Sequence, residues 1–285
     1  MKRLIFSLLF GMLFFSCDNT EPELISQEPV IKYLQTVTTN NSKGRILARL
    51  TVEYNSNKKP SNILSNRFST GYEDEIRFYN ETSNMTYDEE GKIISYIQKQ
   101  IYIDQSHKNT IREVKVSYDE NSITEYVTND YGNHKIDIFL NTYGQPVEKV
   151  TYYDLEKPIT KETYTWKDGN ITSIKNYEYS GEEEYLVREV SITYDTYHNP
   201  YTYLKDLNEI RYTTENLKTT NNPLTILETY YNDDYGYTSS ASLQYEYDKE
   251  EYPISYFYSY SRNATHSSDH FIIEHEKIFE YQTEE

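Results

Sequence analysis

The chain has 285 residues, of which 28 are Lys or Arg and 46 are Asp or Glu, giving a formal charge of −18 at pH 7. That length is sufficient for one large β domain or two smaller ones, each with its own core. The acidity argues against a nucleic-acid partner, because phosphate binding needs clustered Lys and Arg side chains.

The first 16 residues have the features of a signal peptide. Met1–Arg3 is basic and Leu4–Phe15 is apolar, a run too short to span a bilayer, which takes about 20 apolar residues. Ser16 and Cys17 follow, and Cys17 is the only cysteine, so it has no partner for an intramolecular disulfide. A small residue before this Cys resembles the lipobox of bacterial lipoproteins. The resemblance implies acylation of Cys17, palmitate included; an ordinary cleaved signal is the alternative.

Residues 17–30 are predicted to form a flexible acidic tether. Asp18, Glu21 and Glu23 follow Cys17 closely, and acidic residues at this place resemble the surface-export signal of Bacteroidetes lipoproteins. The segment is polar and contains two prolines, which is typical of a tether. We therefore expect an outer-membrane lipoprotein held to the membrane by its lipid, on either the cell-surface or the periplasmic face.

Residues 31–285 contain an internal repeat and are predicted to form a single domain. Each copy has a large apolar anchor, then Asp, Asn or Lys, and then Pro or Ile, with an average spacing of about 28 residues. Such a period indicates a repeated supersecondary unit. Five of the eight prolines occupy one position of the repeat, including Pro200 and Pro223. The anchors are Tyr54, Tyr87, Tyr118, Leu140, Trp166, Tyr194, Leu217 and Tyr247.

The repeated unit is predicted to be a β-hairpin. An Asx side chain starts the turn, and Pro is tolerated at the first position of the returning strand. Strands alternate in polarity, as in Val114, Val116 and Tyr118, so the anchors should form a ladder along one face. The connector 201–222 interrupts the repeats and contains the only predicted short helix, Leu204–Arg211. Eight hairpins predict an all-β antiparallel meander of about 14–16 strands, curled or closed into a barrel.

The tandem Y-D-x-x-G-x-P/I units behind a lipoprotein signal resemble a Bacteroidetes lipoprotein family of unknown function, with YD-like hairpin repeats. The resemblance implies a porin-like β fold and carries over no catalytic residue. Charged residues alternate with apolar ones along the strands, and the chain ends in EYQTEE without a terminal aromatic residue. A lipid-facing barrel needs an unbroken apolar band. We therefore expect a soluble barrel on a lipid tether.

No catalytic motif, cofactor site or metal site is predicted. The segment His266–His270 has a metal-like spacing but is interpreted as a polar turn. Five tyrosines repeat at every second position of two strands. Such rows can stack on sugar rings or bind a surface protein, or they can simply cover a sheet that has few aliphatic residues. They are Tyr245, Tyr247, Tyr256, Tyr258 and Tyr260. The expected function is a non-enzymatic binding or scaffold module. A glycan-binding protein is the first alternative, and a glycoside hydrolase with paired carboxylates is the second.

Overall fold

A computed structural model describes residues 31–68, 76–103, 105, 108–204, 219–231, 236–264 and 270–283. Sixteen strands in this part of the chain form one closed antiparallel barrel. Each strand pairs with its neighbours in sequence, and the first strand pairs with the last to complete the ring. The strands are β1 (Lys32–Asn41), β2 (Ile46–Tyr54), β3 (Pro60–Phe68), β4 (Ile76–Tyr87), β5 (Ile93–Tyr102), β6 (Thr110–Asp119), β7 (Ser122–Asn129), β8 (Gly132–Leu140), β9 (Pro146–Tyr153), β10 (Lys157–Lys167), β11 (Asn170–Ser180), β12 (Glu183–Tyr194), β13 (Pro223–Tyr230), β14 (Tyr237–Tyr247), β15 (Pro253–Ala264) and β16 (His270–Thr283).

The predicted fold class is confirmed: the domain is an all-β antiparallel meander, and the barrel is closed with 16 strands. Helical structure in the described ranges consists of the 3₁₀ turn Thr202–Leu204 and the 3₁₀ residue Lys108. No helix of those ranges is long and apolar enough to cross a membrane. Of the predicted helix Leu204–Arg211, residues 205–211 lie outside the described residues, as do the predicted signal peptide and tether.

The strands turn at one end of the barrel through a recurring corner, and this end is called the corner end below. In the corner after β14, the Asp248 N–H donates to the Tyr252 carbonyl at 2.9 Å. In return the Tyr252 N–H donates to Asp248 Oδ1 at 3.0 Å. The same pair of bonds, to the residue four places on, starts at Asn55, Asp88 and Asn141. The Asx side chain therefore fixes the turn by satisfying a backbone donor of its own corner.

An aromatic residue near the end of a strand donates a hydrogen bond to a backbone carbonyl near the start of the preceding strand. Tyr118 closes β6, and its hydroxyl donates to the carbonyl of Ile93, the first residue of β5, at 3.0 Å. We call such a bond a rung bond. The other rung bonds run from Tyr54 to Leu34, from Tyr87 to Pro60, from the Trp166 indole to Pro146, from Tyr194 to Ile171 and from Tyr281 to Pro253. An apolar ring with a polar tip can thus fill the interior and satisfy a backbone acceptor together.

One corner contains a long insertion, and here the sequence prediction is wrong. Tyr194 at the end of β12 pairs with Pro223, not with Pro200. The Asp195 N–H donates to the Asn222 carbonyl at 3.0 Å, and the Asn222 N–H donates to Asp195 Oδ1 at 3.0 Å. The two bonds of a regular corner therefore join residues 27 positions apart. The copies ending at Pro200 and Pro223 are two halves of one corner, and seven corners rather than eight occur in the described ranges.

Side chains alternate between the interior and the outer face along each strand. On β8, Ile136 and Ile138 are buried inside the barrel, at 6% and 3% exposure. Lys135 and Asp137 occupy the alternate positions and form an ion pair on the outer face at 2.8 Å. The period of two residues in polarity thus corresponds to the two faces of a half-buried sheet.

Candidate functional site

Apolar side chains fill the interior of the barrel near its corner end. Buried residues from β1 to β16 form one continuous cluster, in which Leu34, Val52, Ile93 and Val190 are each no more than 2% exposed. A barrel of 16 strands leaves an aqueous channel unless something fills it. The insertion of the split corner supplies part of that filling.

This insertion, residues 196–221, is called the insert, and its described parts turn back into the barrel. Tyr201 and Leu204 are buried in the apolar cluster, at 4% and 1% exposure. The Tyr201 ring contacts the ring of Phe279 on β16, with centroids 6.1 Å apart. Buried Asn199 holds this arrangement, since its Oδ1 accepts the Tyr201 N–H at 2.9 Å and its amide donates to Thr219 Oγ1 at 3.1 Å.

The insert also docks on a neighbouring corner. The Asn221 N–H donates to Asn170 Oδ1 at 2.9 Å, and the Asn170 amide donates to Asn221 Oδ1 at 2.8 Å. The Thr220 N–H donates to the Gly169 carbonyl at 3.1 Å. Gly169 has a φ of +76°, and a Cβ at this position would lie 2.3 Å from Thr220 Oγ1. Glycine is therefore needed both for the turn and for the close approach.

A cavity of about 590 Å³ lies in the interior beside the insert, against strands β1 to β6 and β16. Its apolar part includes Val37 and Ile63 from the wall together with Tyr201 and Leu204 from the insert. Uncharged polar side chains make up much of the remaining wall: Thr39, Ser65, Asn80, Thr82, Gln98, Gln100 and Thr110. The insert is thus both a filling for the corner end and one side of the cavity.

The lining changes from apolar to polar with distance from the corner end. On β16 the inward side chains run from Phe279 to Lys277 and then to His275, and on β6 they run from Val114 to Arg112. The change also occurs across strands. Ile63, Thr82, Gln98 and Arg112 are successive cross-strand partners, from β3 to β6.

The charged part of the lining is mainly cationic. Arg67, Arg112 and Lys277 point into the cavity, whereas Glu81 and Lys99, which pair at 3.2 Å, alternate with inward residues and face outward. Lys277 is 7% exposed, and its ammonium lies 5.3 Å from the centroid of the buried Tyr256 ring. The net charge of this site is therefore positive, whereas the net charge of the whole protein is negative.

A second inward polar group lies on β11 to β14 and is internally paired. Arg188 forms an ion pair with Glu228, and its guanidinium also donates to Asn176 Oδ1 at 3.4 Å. Ser239 Oγ donates to Glu228 Oε2 at 3.0 Å. Each charge in this group has an opposite charge or a hydrogen bond as its partner, so the cost of removing the group from water is offset within the group.

The buried phenols are hydrogen-bond donors and not bases. Burial raises the pKa of Tyr164, Tyr194 and Tyr281 above the usual range for tyrosine. Burial also raises the pKa of Tyr247, and its hydrogen bond to the carboxylate of Asp195 raises it further. These hydroxyls keep their protons at neutral pH and so hold backbone carbonyls and carboxylates in place.

The five tyrosines predicted as a ligand platform lie inside the barrel. Tyr256 and Tyr258 are 1% and 9% exposed, and the Tyr258 ring stacks on His275 with centroids 4.3 Å apart. Tyr245 and Tyr260 pack partly buried against the same cluster, and Tyr247 is half-buried at its corner. The rows therefore clad the interior and present no outer platform for a sugar ring.

Seven of the eight predicted anchors are described, and each stands at the closing end of its strand. Leu140 lacks a polar atom for a rung bond, and Tyr247 donates to Asp195. Leu217, Cys17 and residues 266–269 lie outside the described residues.

Sequence reasoning missed Tyr281, Arg112 and Lys277. Tyr281 takes the place of an eighth anchor where β16 meets β1, and its alternation with Phe279 was the available signal. Arg112 stands two residues before Val114, so the same alternation places it on the inner face. For Lys277 the signal is equally local, since it stands two residues before Phe279.

In the described ranges, no group of three or more His, Cys, Asp or Glu side chains is arranged to hold a metal ion. No protein-family profile and no curated protein matches the sequence. Among solved structures, the chain is similar to a porin-like protein from Bacteroides uniformis, with a TM-score of 0.53 and 11% identity. The match covers 87% of this chain and 98% of that one. At this identity the likeness establishes a shared porin-like β-barrel fold.

Proposed function

We propose that the protein is a non-enzymatic binding module of the bacterial envelope. A lipid on Cys17 anchors it to the outer membrane, the barrel lies outside the bilayer, and the cavity beside the insert is the binding site. The observation that carries the proposal is a barrel filled at its corner end that retains a polar cavity further in.

The outer face supports a barrel that stays out of the lipid. Ion pairs occur near the middle of strands, between Lys135 and Asp137 at 2.8 Å and between Lys175 and Glu189 at 3.3 Å. A Lys at the midplane of a lipid-facing barrel costs about 2–4 kcal/mol. Charges at this height are therefore compatible with water and not with an apolar band.

The filled corner end supports a closed cup rather than a channel. Leu34 and Leu204 are at most 1% exposed in the apolar cluster, and water has no path through close-packed apolar side chains. β1 begins and β16 ends at the corner end, where Leu34 pairs with Tyr281.

The inward carboxylates support a binding role rather than hydrolysis. The Tyr96 hydroxyl donates to Glu125 at 3.5 Å, and Tyr164 donates to Glu162. A third carboxylate, Glu228, pairs with an arginine. Each of these three carboxylates has a neighbouring side-chain donor, whereas a glycosidase needs two that face one substrate bond.

The proposal is tested by the membrane behaviour of two forms of the full-length protein. The wild type should incorporate a palmitate analogue and fractionate with the outer membrane. Cys17→Ala, exported behind an ordinary cleavable signal peptide so that Leu4–Phe15 is removed, should lose the label and appear in the soluble fraction, because no other part of the proposed protein enters the bilayer. Recovery of Cys17→Ala as an integral membrane protein, or channel conductance of either form in planar bilayers, would refute the proposal.

A further inference from the structure

We infer that the cavity beside the insert binds an amphiphilic anion, a small molecule with one carboxylate or phosphate head and an apolar body. The inference names the ligand class of the lumenal site and rests on the proposed function. Three features of the lining carry it: its charge, its polarity gradient and its size.

The charge of the lining favours an anion. Three cationic side chains, Arg67, Arg112 and Lys277, point into the cavity, in a protein with 46 acidic and 28 basic residues. Glu81 and Lys99 pair with each other at 3.2 Å on the outer face, so among the described residues no inward carboxylate belongs to this part of the lining. Within the described ranges Arg112 forms no ion pair. A guanidinium can bind a carboxylate or phosphate with two parallel hydrogen bonds.

The neighbours of Arg112 fit the head group of such a ligand. Gln98 is its direct cross-strand partner on β5, and Gln100 pairs with Thr110 one inward position further from the corner end. Their side chains line the cavity and supply uncharged donors beside the charged one. An oxyanion with several acceptor oxygens can accept from the Arg112 guanidinium while it lies beside these amides.

The opposite part of the cavity fits an apolar body. Val37, Leu50 and Ile63 of the wall and Leu204 of the insert line this part. These side chains lie towards the corner end, whereas Arg67 on β3 and Arg112 on β6 lie further from it. The ligand would therefore enter with its apolar end first and stop with its head at the level of Arg112.

The size of the cavity selects a single small molecule. Its volume of about 590 Å³ falls in the range of ~300–1,000 Å³ that is typical of small-molecule sites. A single-chain fatty acid and a single-chain phosphate share the required chemistry. They would come from different sources, a free acid or a lipid head group, and the binding test separates them.

The test uses the full mature chain from residue 17 with Cys17→Ser, which removes the lipid and the need for detergent. Calorimetry compares dodecanoate, dodecyl phosphate and uncharged dodecanol, each below its aggregation concentration. We expect one site per chain for dodecanoate, dodecyl phosphate or both, and at least about 10-fold weaker binding of dodecanol. The head group that binds more tightly identifies the source.

Variants show whether the site is the one described. Arg112→Gln should weaken binding of the anion about 10-fold or more, and Arg112→Lys should retain part of it. Arg49→Gln is the matched control, since Arg49 lies between the lining residues Ala48 and Leu50 on β2 and so faces outward. Equal binding of dodecanol and dodecanoate, no binding of any probe, or full affinity in Arg112→Gln would overturn the inference. Those results leave the membrane behaviour of Cys17→Ala unchanged, so failure here is distinct from failure of the proposed function.

Discussion

Replacing Tyr118 by phenylalanine removes its rung bond and keeps the aromatic ring. The ring stays packed partly buried against the apolar cluster, and the position of Lys92, 5.4 Å from the ring centroid, needs no hydroxyl. What is lost is the hydrogen bond from the hydroxyl to the Ile93 carbonyl at 3.0 Å. Because Ile93 is only 1% exposed, water has little access to replace the missing donor.

The expected loss follows from the value of one buried hydrogen bond. A bond of this kind contributes about 1 kcal/mol, and a buried acceptor left without its donor costs about 1–3 kcal/mol. We therefore expect Tyr118→Phe to lower the free energy of unfolding by about 1–2 kcal/mol. Tyr87 and Tyr194 donate to different carbonyls, of Pro60 and Ile171, so the three substitutions should add, to a total of about 3–6 kcal/mol. For a domain of this size, each kcal/mol corresponds to about 2–4 °C in Tm.

Urea unfolding, followed by the fluorescence of Trp166, measures this loss, since Trp166 is the only tryptophan. Tyr126→Phe is the matched control, because the Tyr126 side chain is 45% exposed on the outer face. We expect that control to change the free energy of unfolding by less than about 0.5 kcal/mol. If Tyr118→Phe were no more destabilising than Tyr126→Phe, the rung bonds would contribute nothing to stability and the reasoning would be refuted.

Three further predictions concern the insert and the buried phenols. Gly169→Ala should lower stability by about 1–3 kcal/mol more than Gly144→Ala, because both glycines have positive φ but only the Cβ at 169 meets the insert, at 2.3 Å; equal urea midpoints would contradict this. Leu204→Ala should cost about 2–5 kcal/mol, since Leu204 is 1% exposed, while the 56% exposed Leu227 should tolerate alanine; similar losses at both would show that the insert is not packed. Burial raises the pKa of Tyr281, so the folded state holds this proton more tightly than the unfolded chain does. The free energy of unfolding should therefore be constant up to about pH 10 and fall above it. Urea midpoints and absorbance at 295 nm between pH 8 and 12 test this. A free energy of unfolding that rises above pH 10 would contradict this prediction.

The barrel could be predicted from sequence because its rules are local. An Asx side chain bonds to a backbone N–H four residues on, as Asp88 does to Lys92 at 2.8 Å, and polarity alternates with a period of two. Both features can be read within one repeat. Closure then follows from strand number, since a long open sheet would leave two unpaired edges.

The split corner could not be predicted in the same way. Asp195 accepts a hydrogen bond from the N–H of Asn222, 27 positions away. The sequence nevertheless has a proline, Pro200, at the position where a regular corner would return to the next strand. Nothing within the segment distinguishes a turn that closes on itself from one that closes on a distant partner. The choice depends on tertiary packing, in which Tyr201 and Leu204 are buried in the barrel.

The cavity was missed because alternation separates two faces without saying which one is enclosed. Tyrosine suits either face, so Tyr256 and Tyr258 were consistent with an outer platform until closure placed them inside. Phe257 between them is 41% exposed, opposite to what hydrophobicity alone would favour. The alternation with Val114 indicates that Arg112 points inward. Its place in a cavity depends on side chains from neighbouring strands, such as Gln98, which a single strand's sequence does not identify.

The split corner has the hydrogen bonds of a regular turn although its two halves are not continuous in the chain. Two hydrogen bonds between Asp195 and Asn222 keep β12 and β13 in register, whatever length of polypeptide leaves and returns between them. Any other Asx corner of this barrel is then a natural grafting point, where a new segment can be added to the lumen without shifting a strand. Diversity inside such a barrel can arise by insertion while the wall stays the same.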